Sequence, residues 1–405
     1  MRKGSRFVMA AALALMVPAL AAASTARMSG LNVPGDYVKG DYTGMYTYMS
    51  EVNSVGNLAY VEAGSTYYNF GDHAVGAVLP GLFDGKYGVW SVNLRQVHPA
   101  LGQPWNGGLI NTGHDSVDPN YAGEAFDILW GHKMGNGNLG LRLNRSFESY
   151  DDGDNTTEGD GNEGRNILGF GAGYGWDMNA NTNVEVGFLF QSRTFDEGNG
   201  GDSNDGSKAM LLAARAFRKA SGNLTVIPAI KYWSIDQSTQ DNATSTTSDE
   251  KYSGWQAGLA GNWTVGSDDL LVFGANVAQN KGDFGDGDEF TQTFMPNVFL
   301  ALETHLNPWL TFRAGAQNAM FYTYKEKFTG GENKWKEHYF TFNLGTTVKL
   351  GNLTLDATLD PAFLQNPFAQ LMGGTSAYYW GYSSKREAGG PNNVVFPQVS
   401  ATYTW

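Results

Sequence analysis

Two kinds of connection alternate along this chain from residue 86 onward. The short ones are MGNGN (134–138), DMNANT (177–182), ASGN (220–223), VGSDD (265–269), LNP (306–308) and LGN (350–352), built from residues that accept tight-turn dihedrals. The long ones are polar: 97–120, DDGDNTTEGDGNEG (151–164), DEGNGGDSNDGS (196–207), QSTQDNATSTTSDE (237–250), GDFGDGD (282–288), KFTGGEN (327–333) and roughly 363–393. Short and long follow each other without a miss. In a meander of antiparallel strands, odd connections lie at one end and even ones at the other. One end of this chain is therefore trimmed and the other elaborated, as in a transmembrane β-barrel with periplasmic turns and longer outer loops. A soluble β-sandwich also tolerates uneven loops, but it gives no reason for the sorting.

The segments between these connections alternate with period two. In 335–349, Phe340, Phe342, Leu344 and Val348 share a face opposite Glu337, Thr341, Asn343, Thr347 and Lys349. In 183–194, Val184, Val186, Phe188 and Phe190 oppose Glu185, Gln191 and Arg193, and 251–263 and 352–360 read likewise. Such alternation marks strands between two different environments. Lengths of about 10–16 residues exceed the usual soluble strand and suit a tilted bilayer crossing. Aromatic residues gather at segment ends, as interfacial girdles require. Two segments, 208–219 and 268–280, alternate poorly and their faces stay unassigned. Seven hairpins from residue 86 give an all-β, antiparallel up-and-down barrel of about 14 strands. The segments 57–64 and 74–82 add a hairpin in the alternative count of 16. Closure is required, because an open edge would leave backbone groups unpaired in lipid.

Composition agrees. Among 405 residues, 53 are Gly, 13% are aromatic and only 17% are charged. The net charge of −13 offers no basic stripe for a nucleic acid. With no cysteine, a disulfide scaffold, a thiol nucleophile and a Cys-zinc site are all excluded. Arg2, Lys3 and Arg6, then FVMAAALALMVPALAAA and the small residues of AAAS, read as a secretory signal peptide over 1–23. Residues 24–56 are too polar to cross a bilayer, so they are expected as a lumen plug or a periplasmic lead, ahead of a barrel spanning 57–405.

The expected lumen-facing charges are Glu185, Arg193, Glu303, Arg313, Glu337 and Lys349, which either pair across strands or form a field that filters solutes. GFGAGYG (169–175) sets four glycines on one face, which makes room for a plug or a passing solute. The acidic loops lack the spacing of a calcium loop and read as solvated, without a metal. Neither H-E-x-x-H nor G-x-S-x-G occurs, so no catalytic residue and no cofactor is expected. The connection 361–382 is unlike the others: Phe363, Phe368, Leu371, Tyr379 and Trp380 make it apolar, a candidate for capturing an apolar solute.

The ending VFPQVSATYTW places Tyr403 and Trp405 on one face of a last strand. It resembles the terminal signal that the barrel-assembly machinery reads in bacterial outer-membrane barrels, with Trp405 in place of the usual Phe. The whole layout resembles the long-chain fatty-acid transporter family: a signal peptide, an N-terminal hatch, and a fourteen-stranded barrel with apolar outer segments. The family's Asn-Pro-Ala hatch motif is absent from YTYMSEVNSVGNLAY. The resemblance implies passive uptake of small hydrophobic compounds across the outer membrane of a Gram-negative-type bacterium. Lipid, lipopolysaccharide, the assembly machinery and a small solute are the expected partners. A general porin for polar solutes and a surface-structural or adhesive barrel are the alternatives.

Overall fold

The computed structural model describes residues 24–64, 74–95, 124–151, 162–196, 203–241, 246–284, 287–359, 396 and 398–405. Sixteen strands follow a short helix, α1 (Thr25–Leu31). They are β1 (Leu58–Gly64), β2 (Ala74–Leu79), β3 (Val89–Arg95), β4 (Glu124–Met134), β5 (Gly137–Asp151), β6 (Asn162–Asn179), β7 (Thr182–Asp196) and β8 (Ser203–Lys219). The second half holds β9 (Leu224–Asp241), β10 (Thr246–Val265), β11 (Asp269–Asp283), β12 (Glu289–Asn307), β13 (Leu310–Phe328), β14 (Gly331–Leu350), β15 (Leu353–Leu359) and β16 (Gln398–Thr404). Each strand pairs antiparallel with its sequence neighbours, and β1 pairs with β16 to close the ring.

The alternative count of 16 strands is the observed one. The first-choice count of 14 missed β1 and β2, which are only seven and six residues long. The outer connections are also shorter than their sequences suggest. KFTGGEN is no loop: β13 runs to Phe328 and β14 starts at Gly331, leaving a two-residue turn. Strands likewise continue through most of 237–250. The sequences of these extensions are polar at odd and even positions alike, so they carry no apolar alternation to betray them.

Faces sort by environment. Outward-facing Phe188, Leu212, Leu259, Leu300 and Phe342 are exposed, whereas inward Ser91, Asn93, Asn144, Gln191 and Ser400 are buried. Val399, Tyr403 and Trp405 point outward on the closing strand. At one level of β11–β13 the register breaks, between Asn276 and Ala278 and between Ala319 and Tyr322. Across this bulge the inward positions of β12 change from odd (Phe299, Ala301, Glu303) to even (Phe290, Phe294).

Candidate functional site

Residues 24–56 run inside the ring of strands. Ser24 caps α1 by accepting the Arg27 amide (3.1 Å) and donating to Asp356 of β15 (2.9 Å). Asn32 ends the helix in the left-handed conformation (φ 49°), and its side chain donates to Thr341 on β14 and accepts from Gln317 on β13. Three short 3-10 segments follow, Gly35–Tyr37, Tyr42–Tyr46 and Met49–Ser54. Apolar side chains of the segment fill the core. Leu31 and Tyr37 pack with Phe217, Val272 and Phe299, while Tyr42 and Val52 pack with Leu58, Val78 and Leu129.

The wall is cut to fit. A Cβ at Gly140 would overlap the Met49 carbonyl, and one at Gly187 would overlap the Thr47 carbonyl. At Gly173 and Gly175 the same atom would press on Met49 and Ser50. The glycine face of GFGAGYG thus makes room for the backbone of 47–50.

Three clusters of buried charge tie the segment to the barrel. In the first, Arg27 donates to Glu303 at 2.7 and 2.9 Å, Arg313 pairs with the same carboxylate, and Arg313 Nη1 reaches Asp356 at 3.1 Å. In the second, Arg215 of β8 sits between Glu51 of the segment (2.5 Å) and Glu185 of β7 (2.8 Å), with its guanidinium 3.9 Å from the Tyr48 ring centre. Lys231 of β9 binds Asp36 at 2.7 Å alongside. In the third, Arg142 of β5 pairs with Asp127 of β4 at 2.6 Å and donates to the Tyr46 carbonyl at 2.9 Å.

Burial perturbs the segment's carboxyls. It pushes Asp41 up to about 6 against the opposing pull of Arg27, 3.8 Å away, and raises Glu51 against that of Arg215. An unfolded carboxyl titrates near ~4. Protonation therefore favours the seated segment. Seating is undiminished below about pH 4, weakens as pH climbs to about 6 through Asp41, and weakens further through Glu51. Amide exchange over 41–51, corrected for intrinsic chemistry, should be about tenfold faster at pH 8 than at pH 5. Equal rates would exclude these carboxyls as the source.

Above the segment, toward the long-loop end, one side of the lumen is aromatic. The rings of Tyr252, Phe284, Phe290, Tyr324 and Trp335 are linked, with Phe284–Phe290 centroids 5.8 Å apart, Phe290–Tyr324 6.1 Å and Tyr324–Trp335 4.8 Å. Trp233 packs in the same cluster, which the segment reaches through Met49. The opposite side, on β3–β5, carries Asn93, Asp127, Arg142 and Asn144.

Of the charges expected inside, Glu185, Glu303 and Arg313 meet in these clusters. Lys349 is half-buried at the short-turn end and makes no ion pair among the described residues. Arg193 and Glu337 occupy strand positions opposite Ile167 and Tyr322, and their side chains lie outside the described residues, as do Phe363, Phe368, Leu371, Tyr379 and Trp380. Sequence reading missed Arg27, Glu51 and Arg215. A lone arginine within AMLLAARAF was the available signal for Arg215.

Closure, a greasy exterior and a polar, charge-paired interior are the geometry of a barrel solvated by lipid. No family model matches this chain, and no curated protein sequence does. Solved structures similar to it include the copper transporter OprC, at 15% identity and a TM-score of 0.42, covering 58% of this chain and 41% of that one. The alcaligin outer-membrane receptor FauA from Bordetella pertussis gives 10%, 0.42, 75% and 42% in the same order, and the siderophore receptor PiuA from Acinetobacter baumannii gives 9%, 0.41, 60% and 48%. The chain spans less than half the length of each. None of the three is named as a member of the fatty-acid transporter family whose fourteen-stranded layout the sequence resembles. The chain is an outer-membrane β-barrel of sixteen strands.

Proposed function

We propose that this barrel admits small, largely apolar compounds across the outer membrane, and that residues 24–56 are the plug that gates it. The observation that carries the reading is how the segment is held. Its ties to the wall are apolar packing, ion pairs and hydrogen bonds, and none of its elements is a strand of the closed ring, so it can shift without breaking the barrel's own strand ladder. A sixteen-stranded barrel left unfilled encloses an aqueous channel. The segment's contacts with the wall favour a closed barrel over an open diffusion porin.

The linked rings above the plug favour an apolar solute, which can slide along stacked aromatic faces and exchange one ring contact for the next. The outward pair Tyr403 and Trp405 remains the proposed assembly signal, and its loss should lower the yield of folded barrel.

Proteoliposomes holding the mature chain test the reading. Uptake of a small aromatic hydrocarbon should be protein-dependent while swelling in sugars stays at the level of empty vesicles. Phe290→Ala with Tyr324→Ala should slow hydrocarbon uptake roughly tenfold, from ring contacts of about 0.5–1.5 kcal/mol each. Rapid sugar swelling by the intact protein, or hydrocarbon uptake indifferent to the double substitution, would refute it.

A further inference from the structure

The outward face at the long-loop end of β11–β14 breaks a rule of sheet pairing. Lys325 on β13 lies directly opposite Lys334 on β14, and like charges in that position repel. Lys336 follows two residues on, beside Thr323. Lys281 of β11 stands in the same row, opposite Thr291 of β12, which in turn opposes Lys325. Four cations thus share one patch in a chain whose net charge is −13. Glu332 takes Lys325 at 2.8 Å and Glu289 takes the neighbouring Lys327 at 3.7 Å, both at exposed positions. Lys281, Lys334 and Lys336 are exposed and form no ion pair among the described residues.

Height decides what such a patch meets. Phe321 and Phe340 point outward four residues below Lys325 and Lys336 and are 65% and 39% exposed, with Phe342 and Met295 beneath or beside them. Four residues of a strand tilted by about 40° climb roughly 10 Å. The lysines therefore stand just above the hydrocarbon boundary, at headgroup level, on the outer side of the membrane. Acyl chains lie against the rings and their charged heads lie against the amines. The major lipid of that leaflet is a phosphorylated glycolipid.

We propose that Lys281, Lys325, Lys334 and Lys336 form a binding site for the phosphates of an outer-leaflet glycolipid of the lipid A type, whose acyl chains lie over Phe321, Phe340 and Phe342. The bound phosphates compensate Lys281, Lys334 and Lys336, beside Lys325 already held by Glu332. The site is on the barrel's exterior and is independent of the lumen and of what passes through it.

The test is equilibrium binding of diphosphoryl lipid A to the full mature chain in detergent, with folding verified by heat-modifiable gel mobility. Lys334→Gln with Lys336→Gln should weaken binding roughly 25-fold, about fivefold for each cation near a charged lipid surface, and Lys334→Arg with Lys336→Arg should restore it. Lys86→Gln with Lys133→Gln removes two exposed lysines at the opposite end and should change nothing. Unchanged affinity in the first variant, an equal loss in the second, or equal binding of dephosphorylated lipid A would overturn the site. Phosphatidylglycerol bound as tightly as lipid A would overturn the assignment to a glycolipid.

Discussion

Deletion of residues 24–56 converts the closed barrel into an open pore. Sixteen strands enclose enough space for water once no chain fills it. The wall thereby bared is already polar on one side, with Ser91, Asn93, Asn144 and Gln191, and its glycines were small only to clear the segment's backbone. Arg215, Glu185, Glu303 and Arg313 lose partners but gain water, so the barrel remains folded. Single-channel conductance in planar bilayers should rise by at least about an order of magnitude, and sugars excluded by the intact protein should pass. A deletion variant that is folded and still tight would show that the seal lies elsewhere.

The second large effect is at Arg215. One guanidinium there holds two buried carboxyls, Glu51 from the segment and Glu185 from the wall, and once Glu51 is ionised it compensates both charges. Arg215→Ala leaves both unpaired, and breaking a buried ion pair from one side costs about 3–5 kcal/mol. The cheapest escape is for Glu51 to leave with its turn. Amide exchange over Met49–Ser54 should accelerate at least about 100-fold, while exchange in β14, far from the cluster, should not change. Adding Glu51→Gln and Glu185→Gln to Arg215→Ala should recover most of the protection, because neutral amides do not carry the same burial penalty. A triple variant as loose as the single one would mean that lost packing against Tyr48, not charge, is responsible.

Legibility in the sequence follows which environments differ. β7 and β14 separate lipid from a polar lumen, so their two faces read clearly, and the inward positions of Glu185 and Thr347 were visible in advance. β8 does not, because its inward Ala209, Leu211 and Phe217 pack on other apolar groups of the interior and both faces become apolar. β12 hides its pattern differently, since the bulge swaps the inward parity halfway along and places Phe290 and Phe294 inside. The ion pairs made by the N-terminal segment were beyond reach. Arg27 and Glu303 are 276 residues apart, and only the folded ring brings them together. The glycine face of β6 was the one local clue that a backbone would come close.

The most direct test of a lumen filled by its own N-terminal segment uses a disulfide. A Cβ placed on Gly175 of β6 lies 3.4 Å from the Ser50 Cβ, close to the separation of about 3.5–4.5 Å that a disulfide requires. The chain has no cysteine to compete. Ser50→Cys with Gly175→Cys, oxidised in intact membranes, should lose two hydrogens by mass, resist thiol reagents, and stay closed under conditions that open the parent. Two free thiols in the folded barrel, both reactive toward a membrane-impermeant maleimide, would place residues 24–56 outside the lumen and contradict the account.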